Sequence, residues 1–236
     1  MIKNVALLGH ELIARDTMAF HFEKPDGFDF RAGQFGDITL ADPPETDDEG
    51  NIRGFSLASA PYEQDLVMAT RLRDTAFKRV LRELPAGELV TLDAPYGDFT
   101  LHKNEATPAV FLIGGIGVTP IRSMVAQASH DGTGHRLLLI HANSAPENTP
   151  FRADFEGLAA SHPNFRYVQT VSEPPQDWDG ETGHIDEAML RRHVEDLDAP
   201  LYYLSGPAAM VQAMRSMLVD ASVDEDHIRT EEFTGY

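Results

Sequence analysis

Two rhythms of apolar and polar residues divide the chain. From residue 2 to about residue 101 the apolar positions come in short runs broken by turn residues. The stretch Met18-Ala-Phe-His-Phe-Glu23 alternates in the period of two that gives a strand one buried face. Similar runs at 5–8, 12–15, 17–22, 33–40, 54–59, 66–72 and 89–92 predict roughly six strands, and short strands with turn signals between them predict a small antiparallel barrel. One helix interrupts them over 75–84: Phe77, Val80, Leu81 and Leu84 share a face, Pro85 closes it, and Asp74 or Thr75 caps its start. Residues 42–50 carry too much Pro and charge to pack, and read as a polar loop.

Beyond a polar joint at 103–108 the rhythm changes. Apolar runs at 110–113, 135–141, 165–171 and 201–207 each lead into a helical pattern, at 120–129, 151–160, 185–193 and 208–221. Alternating strands and helices of this length predict a parallel sheet covered by helices, with ligands at the carboxyl ends of the strands. The expected organisation is a domain over 1–103 and a second over 104–236.

The strongest chemical signal lies at one of those strand ends. In Val110-Phe-Leu-Ile-Gly-Gly-Ile-Gly-Val-Thr-Pro120 a buried strand runs into Gly114, Gly115 and Gly117. Thr119 reads as the N-cap of the next helix and Pro120 as its first residue. Free backbone N–H groups at the positive end of a helix make an anion site, for which a diphosphate is the natural occupant; a tight packing turn has the same composition. Ser205-Gly-Pro207 falls on the same rim. In the first half, alternation puts Arg53 and Phe55 of Arg53-Gly-Phe-Ser56 on one face, a guanidinium for a phosphate beside a ring for stacking. The helix start at Asp74 and Thr75 is a second candidate anion site.

Composition narrows the partners. The 38 acidic residues against 19 Lys plus Arg give a formal charge of −19, which disfavours nucleic acid and anionic lipid. Adaptation to high salt, where self-repulsion is screened, is the sharper expectation from that charge. With no cysteine, disulfides, thiolate metal sites and cysteine-ligated iron–sulfur clusters are excluded from this chain. The ten histidines show no HExxH pair or ligand spacing, so no metal site is expected, and no G-x-S-x-G elbow offers a hydrolase nucleophile. No apolar run approaches the ~20 residues that span a bilayer. No signal peptide is evident, and the expected location is cytoplasmic.

Taken in order, the motifs resemble the ferredoxin–NADP reductase family. Gly33-Gln-Phe35 is similar to its barrel strand and Arg53-Gly-Phe-Ser56 to its Arg-x-Tyr-Ser flavin motif. Residues 87–90 with Ala94-Pro-Tyr-Gly-Asp-Phe99 resemble its following barrel segment, and Gly114-Gly-Ile-Gly-Val-Thr-Pro120 its pyridine-nucleotide turn. Ser205-Gly-Pro207 with Met210 resembles its Cys-Gly-Pro-x-x-Met motif, and Glu232-Phe-Thr-Gly-Tyr236 its aromatic carboxyl terminus. The resemblance implies an amino-terminal antiparallel six-stranded flavin-binding barrel and a carboxy-terminal parallel-sheet α/β NAD(P)-binding domain. FAD and NADH or NADPH are the implied cofactors.

By motif match Arg53, with Gly54 beside it, pairs with a flavin phosphate, Phe55 packs on the flavin, and Ser56 lies near flavin N5. Thr75 receives the second phosphate. Gly115, Gly117 and Thr119 cradle the dinucleotide diphosphate, Ser205 and Gly206 border the nicotinamide, and Phe233 or Tyr236 covers the flavin face. Ser56, Ser205 and Glu232 are the candidate catalytic residues, with Glu231 or Glu232 assisting proton balance. Two departures stand out: Phe55 replaces a common Tyr, and Ser205 a frequent Cys. Ser144 and Glu147 in the loop after the second strand point to NADH, while Arg122 and Arg152 would favour NADPH if close by. The implied activity is hydride transfer from nicotinamide to FAD and electron transfer to a separate acceptor such as ferredoxin or flavodoxin. A free-flavin or quinone reductase, and a non-catalytic electron-transfer subunit of a larger complex, are the alternatives.

Overall fold

The computed structural model describes residues 1–233. Its first half contains β1 (Ile2–Ala14), β2 (Thr17–Glu23), β3 (Phe35–Thr39), β4 (Ile52–Ser56), β5 (Asp65–Arg71), helix α1 (Ala76–Glu83) and β6 (Leu89–Tyr96). The six strands form one antiparallel sheet in the order β4-β3-β6-β1-β2-β5. Its two edges meet where Leu57 bridges Met68 and the Ala58 N–H donates to the Val67 carbonyl at 2.7 Å, curling the sheet into a barrel. The runs at 5–8 and 12–15, expected as separate strands, are one 13-residue strand. Bulges between Leu7 and Gly9 and between Leu12 and Ala14 bend it, so that Ile2–Ala6 pairs with β6 and the remainder with β2. An extra residue at a bulge increases local twist, which lets a single strand serve both halves of a barrel.

The second half contains β7 (Ala109–Gly114), α2 (Thr119–Asp131), β8 (Leu137–Asn143), α3 (Arg152–Ser161), β9 (Phe165–Val171), β10 (Glu181–Thr182), α4 (Glu187–His193), β11 (Leu201–Pro207), α5 (Ala208–Asp220) and β12 (Ile228–Phe233). Its sheet runs β10-β9-β8-β7-β11-β12, parallel throughout. Every residue of β7 is buried, as its continuous apolar run requires of a central parallel strand. Among the described residues, no helix is long and apolar enough to cross a membrane.

Three apolar clusters hold these layers. Phe20, Phe22, Ile38, Leu66 and Phe77 fill the barrel. Val110, Leu112, Leu190 and Leu218 fill one side of the parallel sheet. The third cluster lies between the halves: Ala19, Ala58 and Ala69 on the barrel's outer wall meet Phe111, Ile113, Val118, Ile121 and Met124. Small side chains on the wall allow α2 to approach the strands closely. The seam is also polar: the Ser123 hydroxyl donates to the Ser59 carbonyl at 2.7 Å, and Arg122 pairs with Glu63 across it.

The segment between the sheets is tied down by a buried tyrosine. The His102 N–H donates to the Tyr203 hydroxyl oxygen at 2.9 Å, and Arg229 donates to the same oxygen at 3.2 Å. His102 Nε2–H donates to the Thr107 carbonyl, which leaves Nδ1 to accept the Tyr203 hydroxyl proton at 3.0 Å. Tyr203→Phe strands these groups in the interior. Denaturant unfolding is expected to show a loss of about 1–3 kcal/mol, and an unchanged midpoint would remove the tie from the stability of the chain.

Candidate nucleotide and flavin site

The carboxyl ends of the parallel strands open into a cavity of about 240 Å³ facing the barrel. Gly114, Gly115 and Ile116 form its floor, Asn143, Ser144 and Ser172 its polar side, and Arg15 and Arg71 reach it from the barrel. Among the described residues no Asp or Glu lines it, although the chain carries 38 of them. A neutral-to-cationic pocket with glycine backbone on its floor suits an anionic dinucleotide.

The glycine turn is a short 3-10 segment, Gly115–Val118, before α2. Val118, rather than Thr119, is the N-cap, and Pro120 occupies the second helical position. Thr119 is buried, and its hydroxyl donates to the Ile116 carbonyl at 3.1 Å, so it braces the turn and does not face the pocket. Gly117 serves packing: a Cβ there would stand 2.7 Å from the Gly206 nitrogen. Gly206 has φ +148°, a backbone region side chains rarely adopt, which turns the chain past Gly114.

His141, which sequence reasoning left among scattered histidines, holds the turn from behind. Its Nε2–H donates to the Gly115 carbonyl at 2.9 Å. Burial keeps the ring neutral, with its pKa lowered to about 4. A histidine ending an otherwise apolar strand was the available signal.

A second set of cations surrounds the start of α1. Thr75 is the N-cap, accepting from the Lys78 N–H, and the Lys78 ammonium donates to the Arg71 carbonyl at 2.9 Å. Burial first, then the charges of Arg73, Arg53 and Arg71, hold the Lys78 pKa below the usual lysine value. Such convergence of cations on a helix N-terminus is the donor set a diphosphate requires. The anions that answer it here are protein carboxylates. Arg53 pairs with Glu49 at 2.7 Å and lies 3.6 Å from Asp47, and it donates to the carbonyls of Glu49, Gly50 and Ile52. The loop read as too polar to pack is thus packed by its charges.

Arg53 and Phe55 share a face as expected, yet that face is covered. Phe55 is only 8% exposed, its ring 6.0 Å from Phe77, and the Arg53 guanidinium lies 5.2 Å from the same Phe77 ring. Phe55 therefore packs in the barrel. Ser56 is buried as well, and Gly54 is exposed opposite Asp37.

At the far end of the rim, Ser205 and Glu231 are register partners on β11 and β12. They follow the Tyr203–Arg229 pair by two residues, which puts them on the same, barrel-facing side. Ser205 Oγ and Glu231 Oε2 are buried with no hydrogen-bond partner among the described residues. Burial, with a smaller push from the Asp98 charge, raises the Glu231 pKa to about 7. Glu232, the expected catalytic carboxylate, is exposed and alternates to the opposite face. The buried carboxylate stands one residue earlier. Phe233 is described by its backbone, which pairs with Pro207, and Tyr236 lies outside the described residues. Among the described residues no cluster of His, Cys, Asp or Glu suits a metal ion.

The fold is an antiparallel barrel followed by a parallel α/β sheet, with a cavity at the carboxyl ends of the parallel strands. Residues 111–216 match the oxidoreductase NAD-binding domain family. A component of the Na(+)-translocating NADH-quinone reductase of Neisseria meningitidis is 30% identical over 205 residues, which are 80% of this chain and 50% of that protein. The chain spans about half the length of such curated relatives. An Amycolatopsis cytochrome P450 reductase superposes with a TM-score of 0.84 at 25% identity, covering 99% of this chain and 71% of that one. A ferredoxin NADP+ reductase from Neisseria gonorrhoeae, solved with FAD and NADP, superposes at 0.83 with 20% identity and 98% coverage of both chains. Residues 111–216 thus belong to the oxidoreductase NAD-binding domain family, and the whole chain has the two-domain fold of the ferredoxin–NADP reductase-like flavin oxidoreductases.

Two measurements check the turn. Gly117→Ala forces a methyl group into the Gly206 backbone, so a loss of about 1–3 kcal/mol in stability is expected, together with weaker dinucleotide binding; wild-type affinity would show that the close approach is dispensable. Because the folded His141 pKa lies near 4, below its ordinary 6.5, the unfolded chain takes up a proton first. The neutral ring's contribution is complete above pH 6.5 and is lost as pH falls towards 4. His141→Gln is expected to flatten that fall in unfolding experiments between pH 7 and 4, and an unaltered slope would assign the fall elsewhere.

Proposed function

We propose that the chain is an FAD-dependent NAD(P)H oxidoreductase that transfers hydride from nicotinamide to flavin and electrons onward to a separate acceptor such as ferredoxin or flavodoxin. The observation that carries this reading is a pair of anion cradles, one at the glycine turn and one at the start of α1, joined through Arg71. Its side chain lines the nucleotide cavity while its carbonyl holds Lys78. Two phosphorylated cofactors bound there would have their reactive rings directed to the seam between the halves. Gly115 and Ile116, with Arg71, would hold the dinucleotide, and Arg53, Arg73, Lys78 and the backbone N–H of Ala76 the flavin diphosphate. When bound, the flavin supplies the exchange between a hydride and single electrons.

The protein's share is positioning, exclusion of water and proton handling. Packing of Ala19, Ala58 and Ala69 against α2 keeps the seam dry. Ser205 replaces the family's frequent Cys beside the nicotinamide place, and its Oγ is buried with no partner among the described residues. Glu231, whose pKa burial raises to about 7, exchanges its carboxyl proton around neutral pH. We assign the proton-handling role to Glu231 in place of Glu232.

NADH is the favoured donor. Arg122 is held by Glu63 and Asp154, and Arg152 by Glu156, so the two arginines considered for a 2′-phosphate are engaged by carboxylates and line a different cavity. Glu147, read from sequence as a ribose partner, is paired with Arg15 instead at 2.9 Å. A cytoplasmic setting, where NADH is supplied, goes with this reading. The relative named as part of a NADH-quinone reductase supports a second one, in which the chain hands electrons on within a larger assembly.

Anaerobic mixing of the flavin-loaded protein with NADH and NADPH in parallel, then with ferredoxin, flavodoxin, free FMN and quinone, tests the assignment. Bleaching by NADH and reoxidation by a small redox protein are expected; a colourless protein that takes up no flavin overturns it. The pH profile of reduction is expected to bend near pH 7 and to lose that bend in Glu231→Gln. Because the folded Glu231 pKa is raised, the carboxylate destabilises the fold as pH climbs from the ordinary carboxylate range through 7. Glu231→Gln is therefore expected to be the more heat-stable protein at pH 8 and no better at pH 4, which thermal melts at both values check.

A further inference from the structure

The cations around α1 are answered by one loop of the chain itself. Asp47 Oδ2 accepts the N–H of Ala76, in the first turn of α1, at 3.0 Å. Its other oxygen lies 3.6 Å from the Arg53 guanidinium and accepts the Glu49 N–H at 3.1 Å. Glu49 takes the Arg53 charge directly at 2.7 Å, and Glu45 pairs with Arg79 on the next turn of α1 at 2.7 Å. A carboxylate that accepts a helix-start N–H while facing a guanidinium makes the contacts a phosphate group makes.

We propose that Asp47 is a displaceable internal substitute for the flavin diphosphate, and that it sets how tightly this chain holds a phosphorylated flavin. The inference rests on the flavin reading above. A diphosphate and the Asp47 carboxylate compete for the Ala76 N–H and for Arg53, and like charges do not share them. Loading therefore moves the 45–50 loop off its cations and forfeits its ion pairs, and the flavin is held as an exchangeable group. Riboflavin, lacking phosphate, does not meet this competition. The loop discriminates among flavins by charge alone.

Fluorescence titration of FAD and riboflavin into the full chain, as wild type, Asp47→Asn and Glu49→Gln, tests this. Asn keeps an acceptor for the Ala76 N–H and removes the negative charge. FAD affinity is expected to rise about tenfold in Asp47→Asn, as expected for relief of a like-charge clash, and to rise less in Glu49→Gln. Riboflavin affinity is expected to stay within about twofold, since no charge acts on it. Unchanged or weakened FAD affinity in both variants overturns the proposal and makes Asp47 a helix cap only. If no variant takes up either flavin, the proposed function falls, and calorimetry with inorganic pyrophosphate then decides the inference separately. Tighter pyrophosphate binding in Asp47→Asn than in wild type upholds the substitution; equal binding overturns it.

Discussion

The site depends on the contact between Gly117 and Gly206. These turns end two neighbouring strand systems, β7 and β11, and lie so close that a single Cβ on Gly117 would meet the Gly206 backbone at 2.7–2.8 Å. Everything on the rim takes its place from that approach. Gly114, Gly115 and Ile116 line the cavity, and His141 anchors the Gly115 carbonyl. Ser205 and Glu231 come together because β11 continues in register beside β12. The helix that leaves the turn, α2, carries the seam to the barrel through Ile121, Met124 and Ser123. A shift at the glycines would therefore move the nucleotide cavity relative to the barrel.

Charge is distributed with similar economy. In a chain of net charge −19, no described carboxylate lines the cavity at the strand ends, and many arginines are matched by acidic neighbours. Exposed pairs of that kind contribute little stability each. Their effect here is selective: Arg122 and Arg152 are engaged by carboxylates, while Arg71 keeps its guanidinium without an ion pair among the described residues and lines the cavity. At α1 the same matching is made by one short acidic loop, which turns a cationic cradle into a guarded one.

Buried polar groups mark where packing gives way to chemistry. Tyr203 is fully served by its neighbours and fastens the connection between the sheets. Two residues along each strand, Ser205 and Glu231 keep buried oxygens that find no hydrogen-bond partner among the described residues, and an unmade buried hydrogen bond is expensive.

Much of this was legible in the residues alone. The alternation of β2, the continuous run of β7 and the glycines after it are local signals, readable because strand period and turn conformation are set by neighbours in sequence. Legibility ended where distant segments meet. That Thr119 braces the turn, that Gly117 faces Gly206, that His141 anchors Gly115 and that Glu231 rather than Glu232 is buried all follow from which strands lie side by side. The polar loop at 42–50 was the furthest from view, because its place is set by Arg53, Arg79 and the start of α1, up to 34 residues away. Sequence determined the two folds and the residue types at their turns; the tertiary structure alone decided which charges face one another, since long-range electrostatic pairing leaves no periodic trace along the chain.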